Sequence, residues 1–147
     1  MKIALGSDHA GFAAKEEIKT VIKALGHTVL DQGTQGESSV DYPDFAEKVA
    51  RAVVSGEADK GVLLCGTGIG MSIAANKVEG IRAAVIGDEK TAALSRQHND
   101  ANIFCAGSRI TPVVKIAESL KVWLQTPFEG GRHLNRVSKI TAIEQRG

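Results

Sequence analysis

The 147-residue sequence contains few cysteines and no long hydrophobic segment. Its two cysteines, Cys65 and Cys105, are 40 positions apart and form no CxxC pair, so their spacing indicates neither a zinc site nor a disulfide framework. No apolar run approaches the roughly 20 residues that span a bilayer. We therefore expect two free thiols and no membrane partner.

The sequence also lacks an excess of charge of either sign. Its formal net charge is +1, and acidic and basic residues are mixed along the chain, which excludes a broad basic surface for nucleic acid. The N-terminal apolar stretch, residues 1–6, is too short for a signal peptide, so we expect a cytoplasmic protein. The length predicts a single domain over residues 1–147.

Short aliphatic or β-branched runs alternate with longer amphipathic stretches. These stretches repeat apolar residues at helical spacing, as Ile18, Ile22 and Leu25 illustrate. The alternation predicts an α/β fold of the three-layer, doubly wound, Rossmann-like type, in which helices cover both faces of a five-stranded parallel sheet. A C-terminal helix from about Arg132 to Ile143 is predicted to serve dimerisation. The predicted strands are Lys2 to Gly6, Thr28 to Asp31, Gly61 to Leu64, Ala83 to Ile86 and Ile103 to Ala106.

The strand exits predict where a ligand binds. Ligands of doubly wound sheets bind beyond the carboxyl ends of the strands, at the point where the strand order reverses. With the order 2-1-3-4-5, that point lies between strands 1 and 3. The residues that leave these strands are Ser7-Asp8-His9 and Cys65-Gly66-Thr67, so we expect the chemistry there.

A glycine-rich turn follows the third predicted strand and opens a helix, so its backbone N–H groups are free to bind an anion. A dinucleotide fingerprint needs a third glycine where Met71 stands, although Asp88 after the next strand would suit a ribose contact. A cysteine-phosphatase loop needs an arginine at that same position. In the third interpretation the N–H groups bind an enediolate and Cys65 transfers the proton. Unlike the other two interpretations, this one requires no residue that the turn lacks. The residues of this oxyanion hole are Gly66, Gly68, Ile69 and Gly70.

The two cysteines differ in their sequence surroundings. Cys65 stands at a strand exit before three glycines, where a helix N-terminus stabilises an anion by up to about 2 kcal/mol. The alternative role of Cys65 is that of a small buried hydrophobe. Cys105 lies in the apolar run Ile103-Phe104-Cys105-Ala106, which favours the structural role for this residue.

Several basic residues are candidates for binding an anion. Arg132 and Arg136 are one helical turn apart at the start of the last predicted helix, a spacing suited to a phosphate dianion. The helix dipole disfavours cations there, so the arrangement indicates an anion to be bound. Arg109, His9 and His98 lie near strand ends, although each histidine could equally be a surface or capping residue.

Five motifs occur in a fixed order from end to end of the chain. They are Gly6-Ser7-Asp8-His9-Ala10-Gly11-Phe12, Asp41-Tyr42-Pro43, Cys65-Gly66-Thr67-Gly68-Ile69-Gly70, Ser95-Arg96-Gln97-His98-Asn99 and Gly130-Gly131-Arg132-His133. With these motifs the chain resembles the B-type ribose-5-phosphate isomerases, a family that also contains allose-6-phosphate and galactose-6-phosphate isomerases. Cys65 together with Met71 resembles the subgroup that uses cysteine instead of a glutamate, which would fall at position 71.

The resemblance implies interconversion of ribose 5-phosphate and ribulose 5-phosphate through a cis-enediolate, without metal or organic cofactor. It implies that Cys65 is the base and that Thr67 and His98 assist ring opening. Asp8 and Asn99 are implied to contact sugar hydroxyls. The remaining implied substrate contacts are Tyr42 in the pocket wall and His9, Arg109, Arg132 and Arg136 on the phosphate. Allose-6-phosphate isomerisation is the alternative within the family.

The topology adds a prediction about assembly. His98 precedes strand 5 and Arg132 follows a helix that runs back from the strand exits, so both lie toward the sheet edge opposite Cys65. We therefore expect an isologous homodimer in which His98, Asn99, Arg132 and Arg136 complete the Cys65 cleft of the other subunit. Such dimers could pair into tetramers. A nucleotide-dependent oxidoreductase and a non-catalytic phosphosugar-binding regulator remain the alternative functions.

Overall fold

The computed structural model describes residues 1–147 and alternates strands with helices along the chain. The strands are β1 (Lys2–Ser7), β2 (Thr28–Gly33), β3 (Lys60–Cys65), β4 (Ala83–Val85) and β5 (Ile103–Gly107). The helices are α1 (Phe12–Ala24), α2 (Tyr42–Val54), α3 (Ile69–Ala75), α4 (Glu89–Gln97), α5 (Val113–Gln125) and α6 (Arg132–Arg146). The predicted five-stranded α/β fold is confirmed.

All strands pair in parallel, in the order β2-β1-β3-β5-β4. The sequence-based order 2-1-3-4-5 is therefore wrong in its last two places, because β5 pairs with β3 and β4 lies at the edge. Every residue of β5 is buried, whereas β4 has only three residues and ends at Val85, which is 43% exposed. A short, exposed strand suits a sheet edge. The reversal between β1 and β3 is unaffected, since these two strands still pair.

Two apolar clusters pack on opposite faces of the sheet. On one face Ile18 of α1 and Trp123 of α5 pack against Leu64 and Phe104 of the strands. On the other face Val49 of α2 and Met71 of α3 pack against neighbouring strand residues that include Cys65. Strands covered on both faces are typical of parallel sheets, and they leave only the strand ends free to bind a ligand.

The last helix, α6, packs only lightly on its own chain. Val137 is its one buried residue. Leu134, Ile140 and Ile143 are apolar and between 42% and 59% exposed. No helix of the protein has the length and apolar character needed to cross a membrane.

A buried ion pair links the first helix to the edge strand β2. Lys15 of α1 has no exposed surface, and its Nζ donates hydrogen bonds of 2.8 and 3.0 Å to the carboxylate of Asp31. Burial raises the pKa of Asp31, but the hydrogen bonds from Lys15 and Lys19 and from the N–H of Gly33 outweigh burial and lower it to about 2. The carboxylate is therefore charged at neutral pH and compensates the buried ammonium group.

Candidate active site

Cys65 is the last residue of β3, and its side chain meets the glycine-rich turn that follows. The residue is 5% exposed, and the backbone N–H of Gly68 donates a hydrogen bond to its Sγ over 3.1 Å. The backbone carbonyl of Cys65 accepts a hydrogen bond from the N–H of Ser108, at 2.9 Å, so the exits of β3 and β5 are tied together. The sulfur therefore has one defined donor and a fixed position at the strand end.

Two glycines are required by the path of this turn. Gly68, the N-cap of α3, has a φ of +81°, and a Cβ on it would lie 2.9 Å from the carbonyl carbon of Ala106. A Cβ on Gly107 would lie 2.4 Å from the carbonyl carbon of Thr67. The turn thus lies directly on the end of β5, with no space for side chains between the two backbones.

The first turn of α3 leaves backbone donors unpaired next to the glycine-rich turn. The N–H of Ile69 donates to Oγ1 of Thr67 at 3.2 Å, whereas the N–H groups of Gly70 and Met71 have no acceptor within the protein. Orphan donors of this kind are typical of the first turn of a helix. Gly70 lines the cleft, so its N–H can stabilise a negative charge that develops on a ligand there, whereas Met71 is fully buried.

The exit of β1 meets the exit of β3, as predicted from the sequence. Asp8 is 7% exposed and accepts a hydrogen bond of 3.0 Å from the N–H of Gly11. The two exits touch so closely that a Cβ on Gly11 would lie 2.4 Å from the carbonyl oxygen of Leu64. Ser108, which the sequence reasoning missed, donates from Oγ to the backbone carbonyl of Ala10 at 3.0 Å. A single serine gives no sequence signal for such a bridge.

A cleft of about 490 Å³ opens at this junction. Its lining residues are Asp8, Tyr42, Cys65, Gly66, Thr67, Ile69, Gly70, Ile73 and Arg109. All of them except Ile73 belong to the site predicted from the sequence. Ile73 lies one helical turn after Ile69 and is 58% exposed, and an exposed isoleucine on that face is the signal that could have identified it. A larger groove of about 830 Å³ runs along α2 and contains no predicted site residue.

Two contacts define the walls of the cleft. The ring of Tyr42 lies against the backbone of Gly70, where a Cβ would approach its Cε1 to 2.5 Å. The Arg109 side chain lies along Gly66, where a Cβ would be 3.4 Å from Cδ, and the Arg109 N–H donates to the carbonyl of Gly66 at 3.0 Å. The cleft thus has an aromatic wall on one side and one exposed cation on the other.

His9 stands at the exit of β1 but does not line the cleft. Its Nδ1 accepts a hydrogen bond of 3.1 Å from the backbone N–H of Val40. The acceptor role of Nδ1 leaves Nε2 as the ring's donor. His9 therefore anchors the loop that leads into α2 and keeps one donor available.

Six predicted site residues do not line this cleft: Gly68 and His9, which lie next to it at the exits of β3 and β1, and four remote residues, His98, Asn99, Arg132 and Arg136. His98 and Asn99 precede β5, at the amino end of the sheet, whereas Cys65 ends its strand at the carboxyl end. Asn99 lines a different cleft, of about 430 Å³, together with residues of α6. Within one chain these four residues and the Cys65 cleft are therefore two separate groups.

His98 lies beside His133 at the start of α6. The two imidazole rings stack, with centroids 4.2 Å apart and planes 12° apart. Oε1 of Glu129 lies 3.8 Å from Nε2 of His98. Desolvation lowers the pKa of His133, and the electrostatic effect of the neighbouring His98 and Arg132 side chains lowers it further.

Cys105 is fully buried on the same face as Cys65, and both cysteines are free thiols, as predicted. Burial raises the pKa of the Cys105 thiol far above its usual range, and the neighbouring Cys65 adds to this effect. Cys105 therefore remains a neutral thiol in the core, and only Cys65 reaches the cleft.

Comparison with known proteins places the whole chain in one family. The ribose/galactose isomerase family matches residues 3–140. Ribose-5-phosphate isomerase B of Escherichia coli (strain K12) is 50% identical over 99% of this chain and 97% of its own length.

Two solved structures extend this similarity to the fold. Ribose-5-phosphate isomerase B of Clostridium thermocellum has a TM-score of 0.98 and 53% identity, covering 99% of both chains. The Mycoplasma genitalium enzyme with bound ribulose-5-phosphate has a TM-score of 0.94 and 41% identity, covering 99% of this chain and 97% of the other. From its sequence and its fold alike, this chain belongs to the ribose/galactose isomerase family.

Proposed function

We propose that this protein interconverts ribose 5-phosphate and ribulose 5-phosphate, with Cys65 as the base that moves a proton between C2 and C1. The observation that carries the proposal is the position of the sulfur. Sγ of Cys65 accepts a hydrogen bond from the backbone N–H of Gly68 at 3.1 Å. Cys65 lines a cleft together with Asp8 and Arg109. The names of the Escherichia coli and Mycoplasma genitalium relatives support the choice of sugar.

The reaction needs one base and no net change in protons. The thiolate of Cys65 removes the proton on C2, the C2–H electron pair forms the C1–C2 double bond, and the aldehyde oxygen O1 becomes an oxyanion. A proton then moves from O2 to O1. Cys65 returns its proton to C1, which gives the ketose and regenerates the thiolate.

The oxyanion of the enediolate needs hydrogen-bond donors that are already in place. The N–H of Gly70, a residue of α3 that lines the cleft, has no protein acceptor. Removing one donor from an oxyanion hole costs about 3 to 4 kcal/mol in known enzymes, so this donor supplies a substantial part of the stabilisation. Asp8 is largely buried and lines the same cleft as Cys65, and its side-chain oxygens are suited to accept hydrogen bonds from sugar hydroxyls.

We propose further that each cleft is completed by a second subunit. Within one chain the cleft has a single cation, Arg109, for the phosphate, and no group besides Thr67 to assist ring opening. His98, Asn99, Arg132 and Arg136 lie at the other end of the sheet, so an isologous dimer could bring them to the other subunit's cleft.

The surface of α6 supports this assembly. Leu134, Ile140 and Ile143 leave an apolar stripe on a helix that buries only Val137 against its own chain. Such a stripe is typical of a helix that packs against a partner. Pairing of two dimers into a tetramer would use a further surface.

Incubation with ribose 5-phosphate in deuterated buffer, without added cofactor, tests the proposed reaction. Because the Cys65 thiol exchanges with solvent, ribulose 5-phosphate should form with deuterium at C1. Binding without turnover would instead favour a phosphosugar-binding regulator. A requirement for a nicotinamide cofactor would favour an oxidoreductase. Turnover of allose 6-phosphate that is faster than that of ribose 5-phosphate would identify allose 6-phosphate as the preferred substrate and would leave the role of Cys65 unchanged.

A further inference from the structure

Two histidines and a glutamate converge at the start of α6, outside the Cys65 cleft. Oε1 of Glu129 lies 3.8 Å from Nε2 of His98 and 4.0 Å from Nε2 of His133. The ligand atoms of the three residues all lie within 4.8 Å of one another. One small ion could therefore contact all three side chains.

Backbone hydrogen bonds fix the three residues relative to each other. His98 caps the end of α4 and donates its N–H to the preceding turn at 2.9 Å. The N–H of Glu129 donates to the carbonyl of Gln97 at 3.1 Å, which ties its segment to the residue next to His98. The N–H of His133 donates to the carbonyl of Gly130 at 3.0 Å. Two segments that are distant in sequence, residues 97–98 and 129–133, thus bring their ligand atoms together before any ion binds.

We infer that His98, Glu129 and His133 form a binding site for a late first-row divalent cation such as Zn²⁺. Two imidazole nitrogens and one carboxylate oxygen, with water as the fourth ligand, are a donor set typical of tetrahedral zinc. Imidazole favours zinc and copper, whereas Mg²⁺ and Ca²⁺ prefer oxygen ligands throughout. The guanidinium groups of Arg132 and Arg136 repel any cation near His133, so binding depends on direct coordination by the three side chains.

The geometry needs only a small adjustment to hold zinc. Zinc binds nitrogen and carboxylate oxygen at about 2.0 to 2.2 Å, which sets the ligand atoms of a tetrahedral site about 3.3 Å apart. The two distances of 3.8 and 4.0 Å exceed this value by about half an ångström. The side chains of His98 and Glu129 are 39% and 50% exposed, so they can rotate toward an ion held at His133, whose side chain is 12% exposed and stays in place.

Metal binding at this site has a consequence for catalysis, and that consequence rests on the proposed function. In the proposed dimer His98 assists ring opening in the other subunit's cleft. An imidazole whose Nε2 is bound to zinc cannot exchange a proton with the sugar through that nitrogen. Zinc is therefore expected to inhibit the isomerase by occupying His98.

Titration of the full-length, chelator-treated protein with Co²⁺ tests the site, because the visible spectrum of cobalt reports its ligands. One ion per chain should bind, with the bands of a tetrahedral nitrogen and oxygen site and without a thiolate charge-transfer band. Affinity should fall at least about tenfold in Glu129→Gln and in His133→Gln, since even loss of an outer-shell partner weakens metal sites by about 10- to 100-fold. His27→Gln, which removes a histidine elsewhere, is the matched control and should bind like the wild type.

Absence of cobalt binding would overturn the inference, as would binding that survives in both variants. A thiolate band that disappears in Cys65→Ala would also overturn it, because the metal would then sit at the cleft. Thermal unfolding gives a second readout: Zn²⁺ should raise the Tm of the wild type but not that of a folded His133→Gln variant.

An inhibition assay separates this inference from the proposed function. The Zn²⁺ concentration that halves the turnover of ribose 5-phosphate should be at least about tenfold higher for Glu129→Gln than for the wild type. Equal zinc sensitivity of the two proteins would overturn the inhibitory role. Cobalt binding by a protein without isomerase activity would leave the metal site in place and overturn the proposed function instead.

Discussion

The backbone N–H of Gly68 donates a hydrogen bond to Sγ of Cys65 over 3.1 Å, and Gly68 makes this contact with a φ of +81°. A side chain at position 68 would strain the backbone and would also contact the carbonyl carbon of Ala106 at 2.9 Å. Gly68 therefore contributes both a hydrogen bond to the proposed base and one of the two close backbone contacts that define the turn.

Gly68→Ala should lower both stability and turnover. The left-handed conformation costs an alanine about 1 to 2 kcal/mol, and the contact with the β5 backbone adds to that cost. Displacement of the turn should reduce kcat at least about tenfold, because a shift of one ångström can cost as much as 100-fold. Urea unfolding and steady-state kinetics measure the two effects.

Gly26→Ala is the matched control for this change. Gly26 has a φ of +90°, but nothing lies within 4 Å of its Cβ position. The Gly26→Ala variant should lose about 1 kcal/mol of stability and keep the wild-type kcat. Equal kinetics in the two variants would show that the turn at Gly68 does not position Cys65.

Arg109→Ala should weaken binding of the phosphate more than it slows the reaction. Arg109 is the one cation that lines the Cys65 cleft. A hydrogen bond to a charged group contributes about 1.5 to 3 kcal/mol, so KM should rise about tenfold or more, and inorganic phosphate should inhibit correspondingly less. Arg51→Ala removes an exposed arginine that pairs with Glu47, and it should leave KM unchanged. An unchanged KM in Arg109→Ala would contradict the assignment.

Gly70→Ala should change the cleft through Tyr42. The new Cβ would lie 2.5 Å from the ring, so the tyrosine must move. We expect KM to rise several-fold in Gly70→Ala. Adding Tyr42→Ala to this variant should raise KM little further, because both substitutions change the same wall of the cleft. A double-mutant cycle measures this coupling. Fully additive effects would mean that the contact between the two residues does not shape the cleft.

Asp31→Asn should destabilise the fold at neutral pH by about 3 kcal/mol, because it removes the principal partner of buried Lys15. The pKa of Asp31 is lowered to about 2, so its contribution is complete above about pH 4 and is lost as the pH falls through 2. The stability difference between wild type and variant should accordingly be constant from pH 7 to 5 and shrink below pH 4.

Urea unfolding over this pH range measures the difference. Glu118→Gln, which removes one member of an exposed pair with Lys115, should change stability by less than about 1 kcal/mol at any of these pH values. A difference between wild type and Asp31→Asn that does not depend on pH would contradict the role given to the carboxylate.

The Cys65 cleft could be predicted because its residues follow two neighbouring strands directly. Asp8 and Cys65 each stand at a strand exit, and parallel strands bring their exits to one edge of the sheet. Local sequence is then sufficient to place both side chains. The order of β4 and β5 could not be predicted in the same way, because strand length and burial in the finished sheet, rather than position along the chain, decide which strand lies at the edge.

The cluster of His98, Glu129 and His133 lay beyond sequence reasoning for a different reason. Glu129 is 31 residues from His98, and the packing of α5 decides where the chain returns. The turn into α6 passes through Gly130 and Gly131, with φ values of +68° and +55°, which set the direction of the helix. Only the tertiary structure therefore reveals that the three side chains meet.

In the proposed reaction Cys65 is the base in a cleft that a second subunit completes. Heterodimers isolated by two affinity tags test both parts in one measurement of kcat. A heterodimer of Cys65→Ala with His98→Ala contains one intact composite site and should show about half of the wild-type kcat, although each variant alone is nearly inactive. A heterodimer of wild type with the double variant Cys65→Ala/His98→Ala contains no intact site and should be nearly inactive. Activity in the second heterodimer but not in the first, or an active Cys65→Ala homodimer, would contradict the account.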